Sequence, residues 1–242
     1  MKPGLTVIIP VLNEADILED NTRLLVGYLE RLGRPFEVII VSNGSTDGTE
    51  ALGRRLAGQF KTVRFLTLPE KGVGRAFALG VREAGFDLIV SLDMDLSIDL
   101  GFIPRAADLL DDYQIVVGSK KMGSQARTFW RKAGSTAFIL TARALLGLSF
   151  KDYSIAAKAY HREVLLRYLD RIDHGTSYVL DIIYHTLAHG GRALEIPVHC
   201  EDFRASKFNL LREALYRFHH LFRLWWQYRL RQPPPRPQEP AR

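Results

Sequence analysis

The sequence is poor in cysteine and in long apolar runs. Cys200 is its single cysteine in 242 residues. A lone thiol can form neither an internal disulfide nor a cysteine-rich zinc site, so we expect a reducing, cytosolic setting. No apolar run approaches the roughly 20 residues that a membrane-spanning helix needs, and the N-terminus leads into a short apolar strand rather than a signal-peptide core. We therefore expect a protein that does not span the membrane.

Two common nucleotide-binding motifs are also missing. The sequence has no Gly-x4-Gly-Lys-Ser/Thr spacing, and no Gly-x-Gly-x-x-Gly follows the first predicted strand. These absences argue against a P-loop nucleotidase and against a dinucleotide cofactor. With 47% hydrophobic and 25% charged residues, the composition is that of a globular protein of one or two domains.

Acidic residues are scarce in two windows. Residues 118–132 net +5 and residues 204–231 net +6, which leaves −5 for the remainder of a chain whose net charge is +6. Local basicity of this kind indicates either an anionic partner or two solvated basic faces. No nucleic-acid motif accompanies the windows, so we do not expect a nucleic-acid partner.

The first half of the chain alternates apolar strands with helical spacing. We predict strands over 5–10, 36–41, 63–68 and 87–92. Between them we predict helices over 16–32 and 72–85, and a turn over 42–49 that leads to a helix ending near Phe60. Nearly continuous apolar strands separated by helices predict an α/β fold with a doubly wound, mostly parallel sheet. Ligands of such folds bind at the carboxyl ends of the strands.

The second half is less regular. We predict strands over 113–118, 154–160 and 192–199, and helices over 128–146, 162–169, 178–189 and 208–231. The last helix is amphipathic, and residues 232–242 carry five prolines, which is typical of a disordered tail. We therefore divide the chain into a main domain (1–207), an amphipathic helix (208–231) and a tail (232–242).

Polar residues gather where the first four strands end. Asp93 and Asp95 follow the fourth strand, and two such carboxylates can converge on a hard divalent cation that bridges a nucleotide diphosphate. Ser97 or Asp99 is either a further ligand or a helix cap. Lys71 and Arg75 lie at a predicted helix N-terminus, where the helix dipole disfavours positive charge. Two cations at this position make sense if an anion binds to them and to the helix amides together.

Four motifs carry a resemblance to a known family. VIIPVLNE, VSNGSTDGT, EKGVGRA and DLIVSLDMD occur in this order over about residues 5–100. In this the chain resembles family 2 inverting glycosyltransferases, whose fold is the nucleotide-sugar glycosyltransferase A type. Its second half is similar to polyprenyl-phosphate sugar synthases of the dolichyl-phosphate mannose and glucose synthase type. The similarity there is carried by 118–120, 130–131, 135, 151–154, 195–198 and 204–207.

The resemblance implies roles for individual residues. Asp93 would contact the ribose or the diphosphate side, and Asp95 would hold Mg²⁺ or Mn²⁺, with Asp93 and Ser97 as further ligands. The donor nucleotide sugar would be bound by Pro10, Asn13, Glu14, Asn43, Lys71, Arg75, Arg204 and Lys207. The acceptor phosphate would be bound by Lys120, Arg131, Ser135 and Ser206.

Three positions depart from the family pattern. The family usually has two aspartates where this chain has Ser42 and Asn43, and the second of them often contacts the base. Lys120 replaces a common arginine, which keeps a cation but loses the bidentate fork. Residues 154–158 replace a usual Ser-Gly-Phe. If the reaction uses a general base, Asp181 is the candidate, although a place on a polar helix face is the favoured interpretation.

The resemblance predicts an enzyme that moves a hexose, mannose or glucose, from GDP-mannose or UDP-glucose to polyprenyl or dolichyl phosphate. We expect it to be peripheral on the cytoplasmic face of the membrane, with helix 208–231 on the membrane surface. That helix could instead pack on the domain core or on a dimer partner. Two alternatives for function stay open, a soluble or polysaccharide acceptor and a catalytically silent binding module. The intact Asp93 and Asp95 argue against the second.

Overall fold

The described part of the chain is built on one seven-stranded sheet. The computed structural model describes residues 2–120, 129–153, 155–200 and 210–229, except the side chains of 129–133, 210, 211 and 229. The strands are β1 (Leu5–Val11), β2 (Phe36–Asn43), β3 (Val63–Leu68), β4 (Leu88–Ser91), β5 (Ile115–Ser119), β6 (Lys158–His161) and β7 (Ala193–Pro197). Their order is β3-β2-β1-β4-β6-β5-β7. Only β6 among them runs antiparallel to its neighbours, so the predicted mostly parallel α/β sheet is confirmed.

Helices cover both faces of this sheet. They are α1 (Leu18–Arg31), α2 (Thr49–Gln59), α3 (Val73–Glu83), α4 (Phe102–Leu109), α5 (Phe129–Leu146), α6 (Arg162–Leu166), α7 (Tyr178–Ala188) and α8 (Leu210–Arg229). Side chains alternate along β1, where Val7 and Ile9 face a core shared with α1, α2 and α4, while Ile8 faces a second core shared with α3 and α5 to α8. Burial on both faces explains why the strands are nearly continuous apolar runs.

Helix α4 is the one described helix that the sequence analysis missed. Its buried residues Phe102, Ile103, Ala106 and Ala107 have helical spacing, but Pro104 interrupts the pattern. Proline is tolerated there because the N–H groups of the first helical turn have no intrahelical partner. Asp99 begins the turn, since its Oδ1 accepts a hydrogen bond from the Gly101 N–H at 2.9 Å.

Helix α8 divides its apolar stripe between the core and solvent. Leu221 and Leu224 are buried in the core, whereas Leu215 and Trp226 are 64% and 65% exposed and Phe222 is also exposed. One side of this helix therefore packs on the domain, and the other side leaves apolar residues exposed. Within the described residues, none of the helices combines the length and the apolar character that crossing a membrane requires.

The loop before α7 packs against the N-terminus of α3. The backbone N–H groups of Gly74 and Arg75 donate to the carbonyl of His174 at 3.0 and 3.3 Å. A Cβ atom on Gly74 would lie 2.1 Å from the carbonyl oxygen of Asp173. These two N–H groups therefore already have a hydrogen-bond acceptor. This corrects the expectation that an anion bound by Lys71 and Arg75 also accepts hydrogen bonds from them.

The close approach at Gly74 generates a stability prediction. We expect Gly74→Ala to lower the free energy of unfolding by about 1–3 kcal/mol, because the new methyl group must displace backbone. Gly27→Ala is the matched control, since a Cβ at Gly27 in the middle of α1 meets nothing within 4 Å. That change should raise stability by about 0.5–1 kcal/mol. Urea unfolding of both variants checks the prediction, and equal stability of the two would contradict it.

Candidate active site

The loops that follow β1 and β2 are bound to each other at the carboxyl edge of the sheet. Asn13 adopts a left-handed backbone with a φ of 56°, which asparagine tolerates better than most residues. Its N–H donates to Ser45 Oγ at 3.1 Å, and its Oδ1 accepts from the Thr46 N–H at 2.7 Å. The Glu14 N–H donates to Thr49 Oγ1 at 2.9 Å. The two loops are thus held as one wall of the crevice.

Asn43 joins the ends of three strands. Its Nδ2 donates to the Val11 carbonyl at 2.8 Å, and its Oδ1 accepts from the Gly72 N–H at 3.2 Å. The residue is only 5% exposed. Because both polar ends of the side chain are occupied by backbone, we assign Asn43 a structural role. This corrects the expectation that it contacts the donor.

Two exposed cations follow β3, Lys71 in the loop and Arg75 in the first turn of α3. Gly44, with a φ of +80°, lets this loop approach closely, since a Cβ there would lie 3.2 Å from the Lys71 backbone nitrogen. Lys71 and Arg75 are exposed, and the Arg75 guanidinium forms an ion pair with Glu70. The structure thus brings Lys71 and Arg75 to the edge where Asn13 and Glu14 lie, with Pro10 half-buried in β1 behind them.

Asp93 and Asp95 follow β4 at the centre of the same edge. Removal of solvent by the surrounding protein and repulsion from Asp95 raise the pKa of Asp93 to about 6, and attraction to Lys120 and Lys158 opposes that rise. Part of the Asp93 residue is nevertheless exposed, at the floor of the crevice. Asp95 Oδ1 accepts a hydrogen bond from the Ser97 N–H at 3.0 Å. Two carboxylates are therefore held close enough to repel each other.

This donor set fits a hard divalent cation. Carboxylate oxygens suit Mg²⁺, which proteins commonly hold with one or two carboxylates plus substrate phosphates. Repulsion from Asp95 contributes to the raised pKa of Asp93. A bound divalent cation would neutralise the negative charge of the two carboxylates. Among the described residues there is no group of three or more His, Cys, Asp or Glu side chains that could hold a metal. Ser97 is half-buried, and its Oγ lies 3.8 Å from Cys200 Sγ.

The expected acceptor residues are described only in part. Lys120 is half-buried at the end of β5 and within electrostatic reach of Asp93. Ser135 is half-buried on α5. The side chain of Arg131 and all of Ser206 lie outside the described residues, as do Arg204 and Lys207 of the expected donor site and the predicted tail.

Asp181 is buried and fully engaged, which corrects both interpretations from the sequence. It is 1% exposed, so it is not on a polar face. One carboxylate oxygen accepts from the Asp173 N–H at 2.6 Å, and the other lies 2.8 Å from His220 Nε2. Burial raises the pKa of Asp181, with the His220 hydrogen bond opposing the rise. Its contacts join α7 to α8, and we assign it a structural role rather than that of a general base.

Lys158 is a charged residue of this region to which the sequence analysis gave no role. It is fully buried, and no hydrogen-bond partner for its Nζ is found among the described residues. Burial lowers the pKa of Lys158 to about 8, against the attraction of Asp152 and Asp93. The only sign of a special role in the sequence was a lysine flanked by alanines in a short predicted strand. Its position at the crevice depends on the reversed direction of β6, which local sequence does not show.

Comparison with known proteins finds relatives in sequence. A family profile described as glycosyl transferase family 2 matches residues 6–169. An undecaprenyl-phosphate 4-deoxy-4-formamido-L-arabinose transferase of Enterobacter sp. (strain 638) is 30% identical over 211 residues, covering 86% of this chain and 63% of that protein. Glycosyltransferase AglD of Haloferax volcanii is 27% identical over 234 residues, covering 93% of this chain and 38% of that protein. The chain thus spans less than two thirds of the length of both relatives.

Solved structures share the fold. The glucosyl-3-phosphoglycerate synthase of Mycobacterium tuberculosis in complex with UDP superposes with a TM-score of 0.69 and 19% identity, covering 93% of this chain and 80% of that one. The same enzyme with Mn²⁺, UDP and phosphoglyceric acid gives a TM-score of 0.67 at 19% identity, covering 96% and 80%. At this identity the likeness shows the fold alone.

The contacts of Asn43 generate a second prediction. Asn43→Asp keeps the shape of the side chain but replaces its N–H donor by an acceptor facing the Val11 carbonyl. We expect the free energy of unfolding to fall by about 1–3 kcal/mol, the usual cost of a buried group left unpaired. Thr46→Asp adds the same charge at an exposed position of the neighbouring loop and should change stability little. Equal free energies of unfolding for these two variants would contradict the structural role assigned to Asn43.

Proposed function

The chain belongs to glycosyl transferase family 2, and on that premise we propose that it moves a hexose from a nucleoside diphosphate sugar to polyprenyl phosphate. The observation that carries the proposal is the Asp93 and Asp95 pair at the carboxyl end of β4, with Lys120 across the crevice. The name of the Enterobacter relative, an undecaprenyl-phosphate sugar transferase, supports the acceptor class. We propose GDP-mannose or UDP-glucose as the donor.

The proposed donor site uses the wall built by the loops after β1, β2 and β3. Pro10, Asn13 and Glu14 would contact the nucleoside, while Lys71 and Arg75 would lie near the phosphates. Asp93 and Asp95, with Ser97 beside them, would hold Mg²⁺ or Mn²⁺. Such an ion, when bound, neutralises the charge that develops on a diphosphate leaving group.

The proposed acceptor needs little help from a base. A phosphate monoester is already anionic near neutral pH, which agrees with the buried, hydrogen-bonded state of Asp181. Lys120, Arg131, Ser135 and Ser206 would hold this phosphate, and Arg204 and Lys207 would close over the donor. One acceptor oxygen forms a bond to the anomeric carbon as the bond to the diphosphate oxygen breaks on the opposite side. In-line displacement of this kind inverts the anomeric configuration.

The carboxylate pair generates the first functional prediction. Asp95→Asn should lower turnover by at least about 100-fold, because a metal contact stabilises the developing charge by several kcal/mol, while the thermal unfolding midpoint should stay close to that of the wild type. Asp111→Asn removes an exposed carboxylate after α4 and should leave turnover unchanged. The assay offers a panel of labelled nucleotide sugars with polyprenyl phosphate and scores lipid-linked product.

Two outcomes of this assay would contradict the proposal. Turnover that survives both Asp95→Asn and chelation by EDTA would show that the reaction does not depend on a metal ion. Transfer to phosphoglyceric acid but not to polyprenyl phosphate would replace the lipid acceptor by a soluble one.

We propose that the exposed side of α8 attaches the protein to a membrane surface, on the cytoplasmic face. Leu215, Phe222 and Trp226 form an apolar surface along one side of the helix, and Arg212 and Arg223 beside it are exposed. Apolar side chains next to arginines suit the interface of a bilayer with anionic head groups. A polyprenyl tail lies in the bilayer, so an enzyme that acts on its phosphate must sit at that surface.

The membrane proposal is tested with two matched double variants. Leu215→Ser with Phe222→Ser should weaken cosedimentation with anionic vesicles by about tenfold or more, since burial of each such side chain contributes roughly 1.5–3 kcal/mol. Leu24→Ser with Leu166→Ser removes two exposed apolar residues from α1 and α6 and should not change binding. High salt should release part of the wild-type protein, because salt screens the arginine contribution. Equal cosedimentation of the two double variants would show that α8 does not form the membrane-binding surface.

A further inference from the structure

Lys158 lies at the edge of the sheet that forms the crevice because β6 runs against its neighbours. Its strand pairs antiparallel with β4 and with β5, so the first residue of β6 stands where those strands end. In the register Lys158 is opposite Ser91, two residues before Asp93, and opposite Val117 on the other side. Topology thus places a lysine under the floor of the proposed donor site.

The ammonium group of Lys158 is enclosed by protein. The residue has no exposed surface, and its Nζ has no partner among the described residues. Taking a charged group out of water without pairing it is costly.

Charges face Lys158 from four surrounding elements. The anionic neighbours are Asp93 after β4 and Asp152 in the loop before β6, and the cationic ones are Lys120 at the end of β5 and Arg217 on α8. Arg217 is paired with Glu213 through a 2.8 Å contact. Asp152 is buried, and its N–H donates to Glu195 Oε1 at 2.8 Å. Asp152 exerts the larger attraction on Lys158, and Asp93 is the anion that belongs to the candidate active site.

We propose that Lys158 is a positioning residue whose buried ammonium balances the Asp93 carboxylate and sets the electrostatic potential of the crevice. It would weaken the hold of the crevice on a free divalent cation and strengthen its hold on a diphosphate. The inference rests on the proposed function for its choice of ligands.

An electrostatic role has a signature that a packing role lacks. A buried positive charge acts with opposite signs on a cation and on an anion bound nearby. Its removal should therefore tighten one and loosen the other. If Lys158 only fills space, replacing it distorts the crevice and weakens the binding of both.

The experiment compares Lys158→Met, Lys158→Gln and Lys158→Arg with the wild type at pH 7, where a lysine with a pKa of about 8 is charged. The probes are Mn²⁺ alone and inorganic pyrophosphate alone, each titrated by calorimetry into the full chain. Lys61→Met is the matched control, since it removes the same charge from an exposed position before β3, at the other end of the strands. Thermal unfolding is recorded for every variant.

We expect both neutral variants to bind Mn²⁺ several-fold to about tenfold more tightly and pyrophosphate more weakly by a similar factor. Their unfolding midpoints should fall, because the buried Asp152 and the neighbouring Asp93 lose the charge that balances them. Lys158→Arg should restore both affinities, and Lys61→Met should change neither. Weaker binding of both probes or unchanged binding of both would overturn the inference. Absence of sugar transfer with the opposite shifts intact would instead count against the proposed function alone.

Discussion

The repulsion between Asp93 and Asp95 is the constraint around which the rest of the site is arranged. Two carboxylates at the end of a buried strand are unfavourable beside an apolar sheet unless positive charge lies close to them. The structure supplies Lys120 and Lys158 from the two strands next along the sheet, β5 and β6, and both oppose the raised pKa of Asp93. The charge that remains is what a divalent cation would neutralise in the proposed reaction.

The loops after β1, β2 and β3 are joined to one another by hydrogen bonds between side chains and backbone. Asn13 and Asn43 use their amide groups on backbone atoms of neighbouring loops, and the carbonyl of His174 satisfies the first turn of α3. Asp181 and His220 join α7 to α8, so the helix with the exposed apolar face is anchored to the loop that packs on α3. Preformed walls of this kind reduce the ordering cost of binding a donor.

Much of the fold could be predicted from the sequence because its strands are buried on both faces. The predicted strand over 63–68 agrees with β3, and the other predicted strands of the first half end within a few residues of β1, β2 and β4. Helix α4 was missed because Pro104 breaks its pattern. The carboxylate pair was found because acidic residues are rare at the end of an apolar strand.

Other roles depend on contacts that no local pattern records. Asn43 and Asp181 occupy positions that a motif marks as functional, yet their hydrogen bonds go to backbone and to His220. Lys158 reaches the crevice through the direction of β6, a property of the whole sheet. Neither hydrogen-bond partners nor strand direction follows from residue type, so these three assignments required the structure.

The most direct measurement of the central claim is the anomeric configuration of the product. A labelled nucleotide sugar is incubated with polyprenyl phosphate, Mn²⁺ and the protein, and the lipid-linked sugar is analysed by NMR. In-line displacement at the Asp93 and Asp95 crevice predicts a sugar phosphate with the configuration opposite to that of the donor. A product that retains the donor configuration, or no lipid-linked product from any donor, would contradict the account.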